Sequence, residues 1–335
     1  MRPSSIGDNG AMAATSERLD HFNLGFSDDP YWTESSWFSW AIPERGINGL
    51  FYIHFRPNMN CVNAGPAMWD GSGAHVWDFL YFDWQLMRVP PAGTYGVDYD
   101  KYDFETPWGM STRLLEPLQR YQLRYQRNEF ELDLVFEAVA EPNVMGENAT
   151  PGLQDSFRLH FEQPGRIAGL VKLDGERFDI DCFSIRDGSH GRRFLESGTP
   201  GGYTWSTADG RTGWHLIAHD TDRSRDTRVW GGYLLREGIM APLVQGVRRV
   251  VEREAARPSV IEVEAEDSLG RQLHAMGRAQ TPAEFMLFPD RGQSWTLFQW
   301  DYDGFSGAVG EDQEYYGIQD FRRWHRAGRQ AWGTR

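Results

Sequence analysis

The sequence contains little cysteine and little lysine: only Cys61, Cys182, Lys101 and Lys172 occur among its 335 residues. The two cysteines lie far apart and form no C-x-x-C pair, which excludes a disulfide framework. The scarcity of lysine leaves few candidates for Schiff-base chemistry. The formal net charge of −14 argues against nucleic-acid and anionic-membrane partners, because both need a basic protein face.

Long apolar runs and cofactor motifs are also missing. No stretch approaches the roughly 18 apolar residues of a membrane-spanning helix, and the first residues lack the apolar segment of a signal peptide. A G-x-S-x-G elbow, a glycine-rich phosphate loop and a nucleotide-binding fingerprint are absent. We therefore expect a cytoplasmic protein without a cofactor. The expected partner is a hydrophobic small molecule, and a homodimer is possible.

Aromatic residues are abundant, at 14% of the chain, and apolar residues alternate with polar ones over long stretches. Within residues 129–137, the side chains of Phe130, Leu132, Leu134 and Phe136 fall on one face, and acidic residues occupy most of the other face. This alternation is typical of a half-buried antiparallel strand. It recurs along most of the chain.

The strand pattern predicts an all-β protein of antiparallel strands, built as a sandwich or as barrels. The Asp174-Gly175 pair between two apolar segments predicts a hairpin, and short helices are expected only over residues 112–120 and 319–329. Because a Pro-Gly pair ends a strand, we place the domain boundary at Pro164. The expected parts are a disordered tail (1–19), two barrels (20–164 and 165–315) and a helical cap or tail (316–335).

One segment, residues 186–193, combines an acid, a hydroxyl, an imidazole and guanidinium groups. His190 is a candidate proton shuttle, Asp187 a candidate acid or orienting group, and Arg192 a candidate for polarising a substrate oxygen. Glu34, which lies among aromatic residues, is a further candidate proton donor. The alternative interpretation is a surface hairpin whose charges are solvated.

The aromatic residues suggest the wall of an apolar pocket, since ligand cavities are mainly aromatic with a few polar groups. They belong to the core under the alternative interpretation. The candidate substrate-binding residues are Trp32, Trp37, Trp77, Tyr81, Asp83, Trp214, His215 and Tyr233.

The pair His215 and His219 has the spacing of two metal ligands on a helix. Alternation places it on a strand, where four residues separate the two side chains by about 13 Å, too far to share one zinc ion. We therefore expect no metal site.

Several short motifs resemble those of one superfamily, the hydroxyneurosporene synthase (carotenoid 1,2-hydratase) group, to which kievitone hydratase is distantly similar. The resemblance implies two lipocalin-like barrels and cofactor-free chemistry, such as hydration, cyclisation or isomerisation of an alkene, on apolar and often isoprenoid substrates. The motifs are Glu34-Ser35 followed by Phe38 and Pro43, Arg56-Pro57-Asn58, the segment 186–193, Gly231-Gly232-Tyr233 before Arg236-x-Gly238, and Trp300-x-Tyr302-x-Gly304 before Gly310-Glu311.

The sequence departs from that group at one important position. The hydratases have Asp-His-Asn-Trp-Gly, where this chain has Asp187-Gly188-Ser189-His190-Gly191, so their catalytic histidine falls on Gly188. We expect a hydratase or dehydratase, with an isomerase or cyclase and a non-catalytic binding protein as alternatives. The site is expected near the domain interface, where Asp187 and His190 converge if the glycines bend the strand.

Overall fold

The computed structural model describes residues 19–20, 27–88, 103–146, 159–193, 201–219, 226–254, 257–288, 291–319, 322–323 and 325–327. These residues form two antiparallel β-sheets with two 3-10 turns and a short helical segment near the end of the chain. The prediction of an all-β protein is confirmed. No helix among the described residues has both the length and the apolar character needed to cross a bilayer.

The first sheet is twelve-stranded and curls into a half-barrel. Its main path runs β4-β3-β2-β1-β12-β11-β9-β8-β7-β6, while β10 pairs with β11 and β5 with β3. The strands are β1 (Trp32–Ile42), β2 (Ile47–Arg56), β3 (Cys61–Trp69), β4 (Tyr81–Phe82), β5 (Gln85–Arg88), β6 (Phe104–Glu105), β7 (Met110–Glu116), β8 (Arg120–Arg127), β9 (Phe130–Ala138), β10 (Asn143–Gly146), β11 (Leu159–Leu173) and β12 (Glu176–Arg192).

The second sheet is a closed eight-stranded barrel in which each strand pairs with its neighbour in the sequence and β20 pairs with β13. The strands are β13 (Gly201–Thr207), β14 (Gly213–His219), β15 (Asp226–Arg236), β16 (Ile239–Glu254), β17 (Arg257–Asp267), β18 (Gln272–Phe288), β19 (Arg291–Tyr302) and β20 (Phe305–Gly317). Residues 318–319, 322–323 and 325–327 are helical, in the region where a short helix is predicted over residues 319–329.

The β11–β12 hairpin forms where the sequence predicts it. Asp174 and Gly175 have positive φ angles of 52° and 82°, which is the conformation that an Asp-Gly pair adopts readily in a tight hairpin turn. The paired strands are long, because their register runs without a shift from Leu173↔Glu176 to Leu159↔His190. Both strands belong to the first sheet.

Pro164 does not end strand β11, contrary to our prediction. The pairing of β11 with β9 ends at Gly165, and its pairing with β10 begins at Glu162. Pro164 therefore lies in the gap between two partner strands, where a proline without an N–H costs no ladder hydrogen bond. The change from one sheet to the other occurs between Arg192 and Gly201, and we propose the domain boundary there instead of at Pro164.

The helix predicted over residues 112–120 is also absent, since these residues belong to the β7–β8 hairpin. Leu118, with φ of 57°, lies in the turn between the two strands. Thr112 and Leu114 lie on one face of β7 and pair with Leu123 and Tyr121 of β8. Cross-strand pairing thus decides the conformation of a segment whose local pattern is ambiguous. Of the predicted tail, only Leu19, which is buried, lies within the described residues.

Three large apolar cores hold the described part of the chain together, beside a small cluster of Leu19, Leu159 and Phe161. One fills the half-barrel and includes Phe130, Leu132 and Leu134, and another fills the closed barrel. The third lies between the two sheets, where Trp37 of β1 meets residues such as Trp295 of β19. Because both sheets contribute to this third core, the outer face of β11 and β12 is covered by the barrel.

Candidate active site at the interface of the two sheets

A group of titratable side chains lies in this covered region and is called here the interface cluster: His160, Glu162, Asp187, Tyr203 and His215. Strand β11 supplies His160 and Glu162, and β12 supplies Asp187, which lies directly opposite Glu162 in the register. Tyr203 and His215 come from β13 and β14 of the barrel. Both sheets are therefore needed to assemble the cluster.

Hydrogen bonds connect the cluster across the two sheets. His160 Nε2 is hydrogen-bonded to Glu162 Oε1, and the Tyr203 hydroxyl donates to Glu162 Oε2. His215 Nε2 lies 3.6 Å from Glu162 Oε1, and its ring centroid is 4.6 Å from that of Tyr203. Glu162 is therefore the centre of a connected chain of groups that can carry protons.

Burial sets the protonation of these groups. It raises the pKa of Asp187 to about 7, an effect that nearby Glu162 increases and His160 and Arg193 oppose. Burial also raises the pKa of Glu162 well above its usual range, against the hydrogen bond from Tyr203, and lowers the pKa of His160 to about 4. Near neutral pH, His160 is thus uncharged, and Asp187 exchanges its proton.

Asp187 differs from the rest of the cluster in exposure. His160, Glu162, Tyr203 and His215 are all buried, whereas Asp187 retains accessible surface. A titratable carboxyl group that is reachable and has a pKa near the working pH has the properties of a general acid or base.

Aromatic rings surround the cluster. Trp37 packs edge-to-face on Tyr203 at 5.7 Å between centroids and lies 5.3 Å from Trp295. The Trp37 indole N–H and the Tyr233 hydroxyl are buried and have no hydrogen-bond partner among the described residues. Because buried polar groups are usually paired, these two groups are candidate contacts for the polar atoms of a bound molecule.

The cluster also has the spacing of a metal site. One donor atom from each of His160, Glu162 and Asp187 lies within 4.8 Å of the other two, which could hold a metal ion. Both carboxylate oxygens of Glu162, however, already accept or share hydrogen bonds with His160 and Tyr203. We therefore interpret the group as a set for proton transfer.

The structure does not bring the predicted pair Asp187 and His190 together. The register of β12 with β1 is continuous from Trp32↔Arg192 to Phe38↔Arg186, so the two side chains point to opposite faces. Gly188 does not bend the strand; a Cβ atom there would lie 2.5 Å from the Phe161 ring, so the glycine makes room for that ring.

Glu34 and Arg192 also lie away from the interface cluster. Glu34 is opposite His190 in the register and accepts a hydrogen bond of 2.7 Å from the Trp32 indole. The Trp32 ring lies 5.9 Å from that of His190. Arg192 is largely exposed and pairs with Asp29 at 2.9 Å. Three of the four predicted catalytic residues are thus remote from the cluster.

The predicted aromatic wall is divided among different parts of the molecule. Trp37 belongs to the core between the sheets, Tyr81 to the half-barrel core and Trp214 to the barrel core. Trp77 is 79% exposed. Asp83 accepts a hydrogen bond from the Tyr125 hydroxyl and pairs with Arg127 at 3.2 Å.

Two of the predicted binding residues do reach the cluster. His215 belongs to it, and the Tyr233 ring lies 5.9 Å from that of His215. Both residues are on the face of β14 and β15 that meets the first sheet, because the residues that alternate with them, such as Trp214 and Leu234, fill the barrel.

Sequence reasoning missed His160, Glu162 and Tyr203. The alternation of Leu159 and Phe161 does place His160 and Glu162 together on the other face of β11, but a polar face normally indicates solvent. The usable signal was the pairing of this strand with the segment that contains Asp187, since the two polar faces then coincide.

The chain belongs to the protein family described as Domain of unknown function (DUF7064), whose model matches residues 20–310. No curated protein matches the chain in sequence.

Several solved structures share the fold. A protein provisionally described as AttH, from Nitrosomonas europaea, has a TM-score of 0.59 at 14% identity, over 85% of this chain and 92% of its own. Kievitone hydratase from Nectria haematococca has a TM-score of 0.53 at 10% identity, over 85% and 88%. CghA, solved with Sch210972, has a TM-score of 0.55 at 9% identity, over 86% and 89%. At these identities the likeness establishes the fold alone, and the expected similarity to kievitone hydratase is confirmed at that level.

Proposed function

We propose that this DUF7064 protein is a cofactor-independent lyase of the hydratase or dehydratase type, which acts on an alkene or tertiary alcohol of a hydrophobic small molecule. The proposal also states that the protein is related to the hydroxyneurosporene synthase group and that its substrate is isoprenoid-like or aromatic. The observation that carries it is Asp187, a reachable carboxyl group with a raised pKa at the edge of an otherwise buried, aromatic proton-transfer cluster.

The chemistry needs one group that gives and takes a proton. In hydration, the Asp187 carboxyl group protonates the less substituted alkene carbon and leaves a tertiary cation. Water adds to the cation, and the resulting oxonium returns its proton to Asp187, so that the acid is regenerated. Aromatic rings such as Trp37 stabilise the cation, since the faces of the rings carry negative charge. Dehydration is the same sequence reversed.

Glu162 and His160 support Asp187 in this scheme. A carboxyl group beside a second buried carboxyl group keeps its proton to a higher pH, so Glu162 tunes Asp187 to neutral conditions. The hydrogen bond donated by Tyr203 and the hydrogen bond shared with His160 fix the orientation of Glu162. If the cation is captured by a neighbouring double bond instead of water, the same residues support the alternative, an isomerase or cyclase.

The proposal is tested by proton incorporation. The protein is incubated in D₂O with a panel of acyclic terpenoid alkenes, tertiary terpenoid alcohols and prenylated phenols, and products are analysed by mass spectrometry. We expect deuterium at carbon with the wild type, loss of the signal in Asp187→Asn, and an unchanged signal in Asp181→Asn, an exposed aspartate on the same strand.

The other outcomes distinguish the alternatives. Panel members that quench tryptophan fluorescence but neither take up deuterium nor lose water to give an alkene would favour a binding protein without catalysis. Undiminished incorporation in Asp187→Asn would remove this residue from the mechanism.

A further inference from the structure

A second group of histidine and carboxylate side chains lies outside the interface cluster, around Glu284 of β18. His75, from the segment between β3 and β4, places Nδ1 at 3.5 Å from Glu284 Oε2. His325, from the C-terminal helical segment, places Nε2 at 3.2 Å from the same oxygen. Three distant segments of the chain thus meet at one carboxylate oxygen.

Glu284 is a buried carboxylate with unusual surroundings. Its side chain is only 3% exposed, yet neither oxygen has a hydrogen-bond partner among the described residues. Arg257 lies beside the other oxygen, with Nε at 3.7 Å from Oε1. Burying a carboxylate without hydrogen bonds is costly, and a cation shared by Oε2 and the two imidazoles would offset that cost.

The backbone holds this arrangement in place. The Glu284 N–H donates to the Ala74 carbonyl at 2.6 Å, and the Asp78 N–H donates to the His75 carbonyl at 2.7 Å. His75 and Glu284 therefore face each other because the segment is attached to β18 and closed by its own turn. Trp77 packs on the His75 ring at 4.8 Å between centroids.

We propose that His75, Glu284 and His325 form a zinc-type divalent metal site that ties the C-terminal segment to both sheets. In a tetrahedral zinc site with bonds of about 2.0–2.1 Å, neighbouring ligand atoms are about 3.3 Å apart. The two distances to Glu284 Oε2, 3.5 and 3.2 Å, agree with that value.

The imidazole of His75 must rotate to complete the site. The ring centroids of His75 and His325 are 6.3 Å apart, whereas two imidazoles on one tetrahedral zinc ion have centroids about 5 Å apart. The donor atoms of His75, Glu284 and His325 do not all lie within 4.8 Å of one another, so zinc binding requires the His75 side chain, which is 38% exposed, to move by more than about 1 Å. Two histidines and one glutamate leave the fourth position of the metal for water, as in other zinc sites of this composition.

The test uses the full chain, stripped with a chelator and titrated with zinc chloride at pH 7.5, with calorimetry and thermal unfolding as readouts. Cobalt(II) gives an independent signal, because tetrahedral coordination produces visible absorption. We expect zinc to bind and to raise the melting temperature, with affinity reduced at least tenfold in His75→Ala and His325→Ala. Glu284→Gln, which keeps the size of the side chain, should reduce zinc affinity to the same extent.

Two controls locate the metal. His274→Ala removes an exposed histidine that lies 3.9 Å from Glu264 on the same barrel, and it should leave zinc affinity unchanged. His160→Ala tests the interface cluster, whose donor atoms are also closely spaced. Zinc affinity that survives in His75→Ala and His325→Ala but is lost in His160→Ala would overturn the proposal, as would a stripped wild-type protein that binds no zinc. Neither result bears on the proposed lyase function, which the experiment in D₂O tests separately.

Discussion

Two buried glutamates between the sheets, Glu162 and Glu311, have opposite kinds of partners. Glu311 of β20 accepts from Ser39 at 2.5 Å, from Asn48 at 2.9 Å and from the Trp295 indole at 2.6 Å. None of these donors belongs to a titratable side chain. Glu162 instead contacts a histidine and a tyrosine, and lies opposite a second carboxyl group, that of Asp187.

The comparison indicates that burial alone does not identify a functional carboxylate. The donors around Glu311 come from both sheets and stabilise a fixed acceptor, so Glu311 is a connection between the domains. The partners of Glu162 can exchange protons, and the adjacent Asp187 is accessible. The kind of partner, rather than the depth of burial, separates a structural from a chemical role.

The largest effect on stability is expected from Glu311→Ala. The substitution leaves the Ser39, Asn48 and Trp295 donors buried without their acceptor, so we expect the free energy of unfolding to fall by about 3–5 kcal/mol. Urea unfolding measures this change. Glu264→Ala, at a half-exposed position on β17, is the control and should change stability little; a similarly small loss in Glu311→Ala would contradict the structural role.

The next effect is a pH dependence that arises from Asp187. Its pKa is raised from its ordinary value to about 7 in the folded protein, so the folded state binds the proton more tightly than the unfolded chain. This contribution is fully present below pH 4 and is lost as the pH rises towards 7 and above. Asp187→Asn lacks this titration. The free energy of unfolding of Asp187→Asn minus that of the wild type should therefore increase by on the order of 2–4 kcal/mol between pH 4 and pH 8.

Unfolding of both proteins in urea at several pH values measures this effect. A constant difference between wild type and Asp187→Asn from pH 4 to pH 8 would show that the carboxyl group titrates normally. Carboxyl ¹³C shifts of labelled aspartate give the pKa directly.

A smaller effect on stability is expected from Glu162→Gln. Burial raises the pKa of Glu162 well above its usual range and so disfavours its charged form. The substitution introduces a neutral group of the same size, and the free energy of unfolding should change by about 1 kcal/mol or less. Deuterium incorporation should nevertheless fall about a hundredfold, a typical effect of losing a group that assists proton transfer. A collapse in stability equal to that of Glu311→Ala would remove the distinction between the two glutamates.

The smallest effect is expected from Trp77→Ala. The ring is exposed and lies outside the core between the sheets. The free energy of unfolding, and the free energy of binding an apolar ligand measured by fluorescence quenching, should therefore both stay within about 0.5 kcal/mol of the wild type. Trp37→Ala provides the contrast, since removing a buried tryptophan costs about 3–5 kcal/mol. Weaker ligand binding in Trp77→Ala would show that Trp77 belongs to the ligand site.

The sequence alone determined the strand content and much of the local structure. Period-two alternation predicted β9, and the Asp174-Gly175 pair predicted the β11–β12 hairpin, because both depend on residues close together in the chain. The candidate role of Asp187 was also accessible from sequence, since an acid beside glycines on a strand is a local feature.

Only the tertiary structure decided which faces of the strands are buried. The polar face of β11 has the pattern of a solvent-exposed surface, yet the closed barrel covers it and brings Tyr203 and His215 against His160 and Glu162. The same packing separates Asp187 from His190, which alternate to different faces of an uninterrupted strand. Alternation specifies two faces but not what covers each of them, because that depends on contacts between residues far apart in the sequence.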